Sequence, residues 1–161
     1  MLTEWSGLKK LIAASALLGI GRQKNYFTPE GIEPVNSNYA VDAGANYITI
    51  TKSTSASSSY GRSKQQLSAL GLESGKTYTL NAKIGGFSQS NLTGLIYISD
   101  ANSNIKAQTE QIDSLSLDDN LTMAFTYDES TMSELSFYLN RGFGVSNGTY
   151  ITYSDVTIFE D

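Results

Sequence analysis

The chain contains no cysteine and no histidine. Without cysteine there is no disulfide framework, no thiolate zinc site and no cysteine nucleophile. Without histidine there is no His-based triad, no His metal site and no imidazole proton shuttle. Proline is scarce, with only Pro29 and Pro34, and tryptophan occurs once, as Trp5. Charge is sparse too: 17% of residues are charged, 11 basic against 16 acidic, for a net charge of −5. Sequence-independent nucleic-acid binding runs on phosphate neutralisation by a basic surplus, so no nucleic acid is expected as a partner. The unbroken apolar and small run Leu11–Ile20 is far short of the roughly 20 residues a bilayer-spanning helix needs, so no membrane span is expected.

What is present is a chain of 161 residues with 10 Tyr and 6 Phe. The length suggests one domain with at most a short appendage, and a domain of this size buries roughly 68–70% of its unfolded surface without staples. A Tyr-rich, lysine-poor, Ser/Thr/Asn-rich surface suits sugar or protein contact better than phosphate contact. The first residues read as a helix over about Thr3 to Leu18. Thr3 is an N-cap, Glu4 complements the positive helix end, and Gly19 and Gly21 stop it. Lys9 and Lys10 before the apolar run resemble a signal peptide, but Glu4 and Trp5 are misplaced and no small-x-small cleavage site follows Ile20. Apolarity nearly all round the helix requires that it be surrounded. Two placements stay open: on its own domain's sheet, or against copies of itself in a homo-oligomer or larger assembly. Residues 22–45 hold both prolines and read as an extended linker ending in a short strand near Tyr39–Asp42.

From Asn46 onward the period becomes two. Ile48 and Ile50, then Tyr78 to Ile84, Ile96 and Ile98, Leu121 to Tyr127, Leu135 to Leu139, and Val156 and Ile158 each present one apolar and one polar face. Turn chemistry separates the runs at Glu73-Ser-Gly-Lys, Gly85-Gly86, Asp100-Ala-Asn-Ser-Asn, Asp118-Asp-Asn and Ser146-Asn-Gly. Ser53–Ser59 reads as a loop or ragged strand edge. Many short half-buried strands with regular turns predict an all-β fold over 46–161, an antiparallel jelly-roll sandwich preceded by the N-terminal α-helix of residues 1–21.

Three segments carry a resemblance: Gly75-Lys-Thr-Tyr-Thr-Leu-Asn-Ala-Lys, the stretch Leu121 to Leu139, and the ending Tyr150 to Asp161. Together they resemble the jelly-roll carbohydrate-binding modules appended to tail, baseplate and fibre proteins of phages of Gram-positive bacteria. The resemblance spans about residues 36–161. It implies a non-catalytic virion protein that binds cell-wall polysaccharide of a Gram-positive host at the cell surface. It also implies that the N-terminal helix attaches to other virion proteins. The alternative is a structural or decoration protein whose jelly roll binds no sugar. The family often carries a structural calcium between its first and last strands. Asp155 matches the acidic position of that last strand, with Asp42 a conceivable partner. No other cofactor is expected.

A sugar site needs aromatic faces beside planar amide, carboxylate or guanidinium groups. The polar-phase residues Tyr97, Tyr138, Asn81, Lys83 and Asn140 are expected to share one sheet face, with Arg62, Arg141 and Phe143 at its rim and Tyr60 and Tyr153 as weaker candidates. The plainer reading is that Tyr97 and Tyr138 are ordinary cross-strand aromatics. Asp100-Ala-Asn102-Ser-Asn104 opens like a calcium loop, but Ile105 stands where glycine is needed and Gln111 where glutamate is, so a hairpin turn is expected. Glycoside hydrolysis needs two carboxylates across a cleft. The pairs Asp118-Asp119, Asp128-Glu129 and Glu160-Asp161 are sequence neighbours that point apart on a strand or into solvent in a turn, so no enzyme is expected.

Overall fold

The computed structural model describes residues 23–58 and 60–161, so the helix expected over residues 1–21 lies outside the described residues. The described chain is all-β. Its strands are β1 (Glu33–Pro34), β2 (Tyr39–Gly44), β3 (Tyr47–Lys52), β4 (Tyr60–Gln66), β5 (Thr77–Phe87), β6 (Ile96–Ser99), β7 (Ile105–Gln108), β8 (Asn120–Thr126), β9 (Glu134–Arg141) and β10 (Tyr150–Glu160), with one 3₁₀ turn at Leu67–Leu70. They form two five-stranded sheets. The front sheet has the order β1-β4-β9-β6-β7 and the back sheet β2-β3-β10-β5-β8. Every pairing is antiparallel.

Period-two alternation explains the layering. In β8, Leu121, Met123 and Phe125 are buried while Thr122, Ala124 and Thr126 are exposed. The same phase turns Ile48, Ile50, Leu80, Ile84, Ile151 and Ile158 of the back sheet toward Ile96, Ile98, Leu135 and Phe137 of the front sheet. A fully buried aliphatic or aromatic side chain contributes about 1.5–3 kcal/mol. Of the ion pairs among the described residues, Lys64–Glu33, Lys76–Glu160 and Lys83–Asp155 are solvent-exposed, where each is worth at most about 1 kcal/mol. The fold is therefore held by its interior.

Three features depart from the sequence expectation. Residues 23–45, read as an extended linker ending in a strand near Tyr39–Asp42, carry β1 and β2, and the stretch before them packs on the sandwich. Phe27 is in the core, and Tyr26 packs edge-to-face on Tyr78 at 5.2 Å. The Tyr26 N–H donates to the Ile158 carbonyl at 2.8 Å, and the Ile158 N–H donates to Asn25 Oδ1 at 2.9 Å. The prolines are accommodated because Pro29 lies outside any strand and Pro34 ends a two-residue edge strand, where a missing N–H costs little. Second, Tyr60–Gln66 is a strand although it lacks an apolar face: its inward residues are Gly61, Ser63 and Gln65, all buried. Third, Gly85 and Gly86 lie inside β5 rather than in a turn. Ile84 pairs with Tyr153 and Gly86 with Thr152, so Gly85 is an extra residue, a β-bulge. A Cβ there would lie 2.7 Å from Ser154 Oγ, which leaves only glycine room in this strand.

Candidate functional site

The outer face of the front sheet carries a groove of about 550 Å³, within the usual range for small-ligand sites. Its floor comes from β4, β9 and β6. Register fixes the arrangement: Arg62 is paired with Tyr138, and Tyr97 with Ser136, so their side chains stand side by side on one face. The Tyr97 and Tyr138 rings are stacked, with centroids 5.2 Å apart and an interplanar angle of 28°. Arg62 lies over Tyr97, its guanidinium carbon 5.5 Å from the ring centroid. Its Nη1 donates to the Tyr97 hydroxyl, to Glu134 Oε1 at 3.1 Å and to Ser136 Oγ at 2.7 Å. These anchors fix a long side chain that would otherwise be mobile, so the guanidinium is pre-positioned. Burial, together with the neighbouring Tyr97 phenol, pushes the Tyr138 hydroxyl up to about 12. It is an O–H donor at any physiological pH.

Loops raise the walls. On one side stand Val35, Asn36, Ser58 and Tyr60; on the other stand Ser103 and Ile105. The second wall is the β6–β7 hairpin. Asp100 Oδ1 accepts from the Asn102 and Asn104 amides, both at 2.9 Å, and Ser103 takes a left-handed φ of 66°. The Asn104 side-chain amide donates to Oδ2 at 2.9 Å, and that bond, with the Asn104 backbone amide next, holds the Asp100 carboxyl far below its ordinary range. The predicted turn is therefore made, with the aspartate as its internal acceptor.

The first wall is anchored to a buried node that the sequence did not disclose. Lys52 is 1% exposed. Its Nζ donates to the Ala56 carbonyl at 2.7 Å and lies 4.9 Å from the Tyr39 ring centroid. The Tyr39 hydroxyl donates to Asn140 Oδ1 at 3.2 Å, and Asn140 Nδ2 donates to the Phe143 carbonyl. One cation and two polar side chains thus tie the 53–58 loop to β9 and to the loop after it. Tyr153 pins the floor from behind. It reaches across the core, edge-to-face with Phe137, and donates its hydroxyl to the Tyr138 carbonyl at 2.6 Å while accepting from the Leu95 N–H at 3.1 Å.

The structure brings together only part of the predicted set. Arg62, Tyr97 and Tyr138 converge, and Tyr60, 56% exposed, joins them. Tyr97 is only 4% exposed, so a ligand would meet Tyr138, Tyr60 and the Arg62 edge, with Tyr97 as their support. Asn81 and Lys83 do not share this face. They lie on the outer face of the back sheet, where Asn81 accepts from Thr122 at 3.0 Å and Lys83 pairs with Asp155 at 3.3 Å. Asn140 points inward although Tyr138 points outward. Gly61 pairs with Asn140 and Arg62 with Tyr138, which leaves Leu139 as an extra residue in β9. That bulge resets the alternation, turning Asn140 into the core and Arg141 outward. Arg141, exposed at the end of β9, donates to Gln111 Oε1 at 2.8 Å, and Phe143 is half-buried against the core. Tyr153 belongs to the interior.

Asp155 is engaged by Lys83 and sits at a φ of 51° in a β10 bulge. Among the described residues, no three acidic side chains converge where a cation could be held. At least one carboxylate of each adjacent pair is engaged locally. Asp119 accepts from the Ser116 amide at 2.7 Å, Asp128 from Ser130 and Thr131, Glu160 from Lys76 and Tyr26, and Asp161 from Thr79.

No protein-family model matches the chain, and no curated protein matches its sequence. Solved structures match its fold. A CBM4 carbohydrate-binding module is 20% identical, with 81% of this chain and 79% of that one covered and a TM-score of 0.53. The N-terminal cellulose-binding domain of Cellulomonas fimi β-1,4-glucanase C is 16% identical over 88% of this chain and 96% of that one, with a TM-score of 0.54. The enzymatically active domain of bacteriophage CBA120 tailspike protein 4 is 11% identical over 85% of this chain but 21% of that one, with a TM-score of 0.51. At these identities the likeness is one of fold: a jelly-roll sandwich of the kind found in carbohydrate-binding modules, some of which are attached to enzymes.

Proposed function

We propose that this protein is a non-catalytic carbohydrate-binding module that attaches to polysaccharide through the front-sheet groove. The observation that carries the reading is the pairing of stacked Tyr97 and Tyr138 with a pre-positioned Arg62 at the floor of a walled groove. Sugars present C–H faces that pack on aromatic rings and hydroxyls that need fixed polar partners, and this floor offers both. Further support comes from the fold shared with solved carbohydrate-binding modules.

The polysaccharide is that of a Gram-positive cell wall, and the protein serves adsorption as part of a phage virion. The resemblance of residues 75–83, 121–139 and 150–161 to modules of phage tail, baseplate and fibre proteins supports this setting. A single open groove of this kind binds weakly, so presentation in many copies would supply avidity.

The test is to label a panel of Gram-positive cells with a fluorescent fusion of the full chain and compete with purified wall polysaccharide. The expected result is saturable labelling of some strains, removed by the polysaccharide. Absence of labelling, even when the fusion is made multivalent, would overturn the reading in favour of a structural virion protein.

A further inference from the structure

The floor and walls of the groove have an unequal chemistry. Among the described residues lining it there is one cation, Arg62, and no carboxylate. Most of the polar lining can donate: the guanidinium, the tyrosine hydroxyls and the Asn36 amide. Asn36 Oδ1 is already taken by the Asn38 N–H at 2.9 Å, which leaves its Nδ2 as the free end. The Tyr138 hydroxyl keeps its proton throughout the neutral range. A ligand made only of neutral hydroxyls is best met by a mixture of donors and carboxylate acceptors, and side-chain carboxylates are what this lining lacks.

Arg62 is held in a particular way. All three of its side-chain anchors, Tyr97, Glu134 and Ser136, are reached through Nη1. Its Nε and Nη2 donate to no described residue and are not sealed from solvent, and Arg62 is a lining residue of the groove. Glu134, on the same outer face of β9, pairs with Nη1 at 3.1 Å and is not among the residues lining the groove. The Nε–Nη2 edge of a guanidinium is the fork that takes two oxygens of one planar or tetrahedral anion.

We infer that the groove selects a glycan with an anionic group, a uronate carboxylate or a phosphate, seated on the free Nε–Nη2 edge of Arg62 beside the Tyr138 ring. This rests on the saccharide reading above and names the class of sugar. The single charge makes the preference salt-dependent, while ring packing on Tyr138 and Tyr60 is not. Lysine in place of Arg62 keeps the charge but presents no fork.

The experiment is titration calorimetry of the full chain against a matched set of oligosaccharides: a polyuronate, the same polymer with its carboxyls reduced to alcohols, and a phosphodiester-linked glycan with its dephosphorylated counterpart. The expected result is that one anionic member binds about tenfold or more tighter than its neutral counterpart, the margin of one charge-assisted bidentate contact. The margin should shrink as salt rises. Which pair shows it identifies carboxylate or phosphate. R62Q should bring the ratio close to one, and R62K should leave it intermediate; thermal melts of both variants report folding. Equal binding of charged and neutral members, or a preference that survives R62Q, would overturn the inference while leaving the saccharide reading in place. If R62Q does not fold, the ratio measured with R62K decides, an unchanged ratio being the overturning result. Failure of every glycan to bind would overturn both readings.

Discussion

The two sheets present outer faces built from the same alternation but very different in consequence. On the back sheet, outward side chains satisfy one another. Thr49 and Thr152 hydroxyls lie 2.8 Å apart and Thr77 and Thr126 3.1 Å apart, Thr122 donates to Asn81, and Lys83 pairs with Asp155. Each of these side chains has a partner on its own face, and no walled groove is found there among the described residues. On the front sheet the outward side chains are large and unequal, and two loops and a hairpin rise around them. There the lateral contacts use one end of Arg62 and leave the other free. A strand pattern therefore decides which residues face out. What that face can do depends on whether its neighbours exhaust it.

The largest expected effect separates the faces directly. Replacing Tyr97 and Tyr138 together by alanine should weaken polysaccharide binding about tenfold or more, since it removes the stacked pair and the apolar floor. The single change Tyr138→Ala, at the more exposed ring, should give most of the loss without touching the buried Tyr97. Thr122→Ala with Thr152→Ala, on the other face, should leave binding unchanged and cost no more than about 1 kcal/mol per cross-strand pair in chemical denaturation. Comparable loss of binding from the threonine pair would place the site on the wrong sheet.

A second comparison is between two glycines near the groove. A Cβ at Gly61 would fall 2.3 Å from Asn140 Oδ1 and 2.4 Å from the Tyr39 ring. Gly61→Ala should therefore destabilise by about 1–3 kcal/mol, as overpacking does, and loosen the wall that Tyr60 forms. A Cβ at Gly144 would meet nothing within 4 Å, and the backbone there has no left-handed φ. Gly144→Ala should stay within about 0.5 kcal/mol in the same urea titration.

The smallest effect is a titration. Tyr138 holds its proton up to about 12, against 10.0 for a free tyrosine. The native state thus binds a proton that the unfolded chain has released. This contribution to stability is fully present below pH 10 and is lost as pH rises toward 12. Fully buried Tyr153, pushed up further by desolvation, acts with the same sign. Denaturation across this range should show a falling stability, and Tyr138→Phe should flatten the slope. An unaltered slope would mean the ring is more solvated than the groove geometry requires.

Much of the sandwich was legible because its strands alternate apolar and polar residues. The runs around Ile48, Leu80, Ile98, Met123, Phe137 and Ile158 all lie in strands. What was illegible carries polar residues inward. β4 buries Gly61, Ser63 and Gln65, and no periodicity scale scores that as a core face. Burial of Lys52 is equally silent in sequence, because its partner is a backbone carbonyl. Of the site, Arg62, Tyr97 and Tyr138 come together, whereas Asn81, Lys83 and Asn140 do not join them. Alternation says that two residues share a face of their own strand. It does not say which sheet a strand joins, as for Asn81 and Lys83, nor where a bulge inverts the phase, as at Leu139. Tyr60 and Arg62 are named as candidates from the sequence, but their strand is recognised only through its pairing with β9 and not through its own composition.

The Tyr153 hydroxyl has a consequence for motion. It grips the Tyr138 carbonyl and the Leu95 amide from inside the core, so the backbone beneath the groove is bolted to the opposite layer. Amide exchange at Leu95 requires that this grip be released, so it should report the opening of the whole sandwich rather than local fluctuation of one strand. A ligand arriving above Tyr138 meets a floor already at rest. Its recognition then resembles docking onto a rigid tile, with adaptability confined to the surrounding loops.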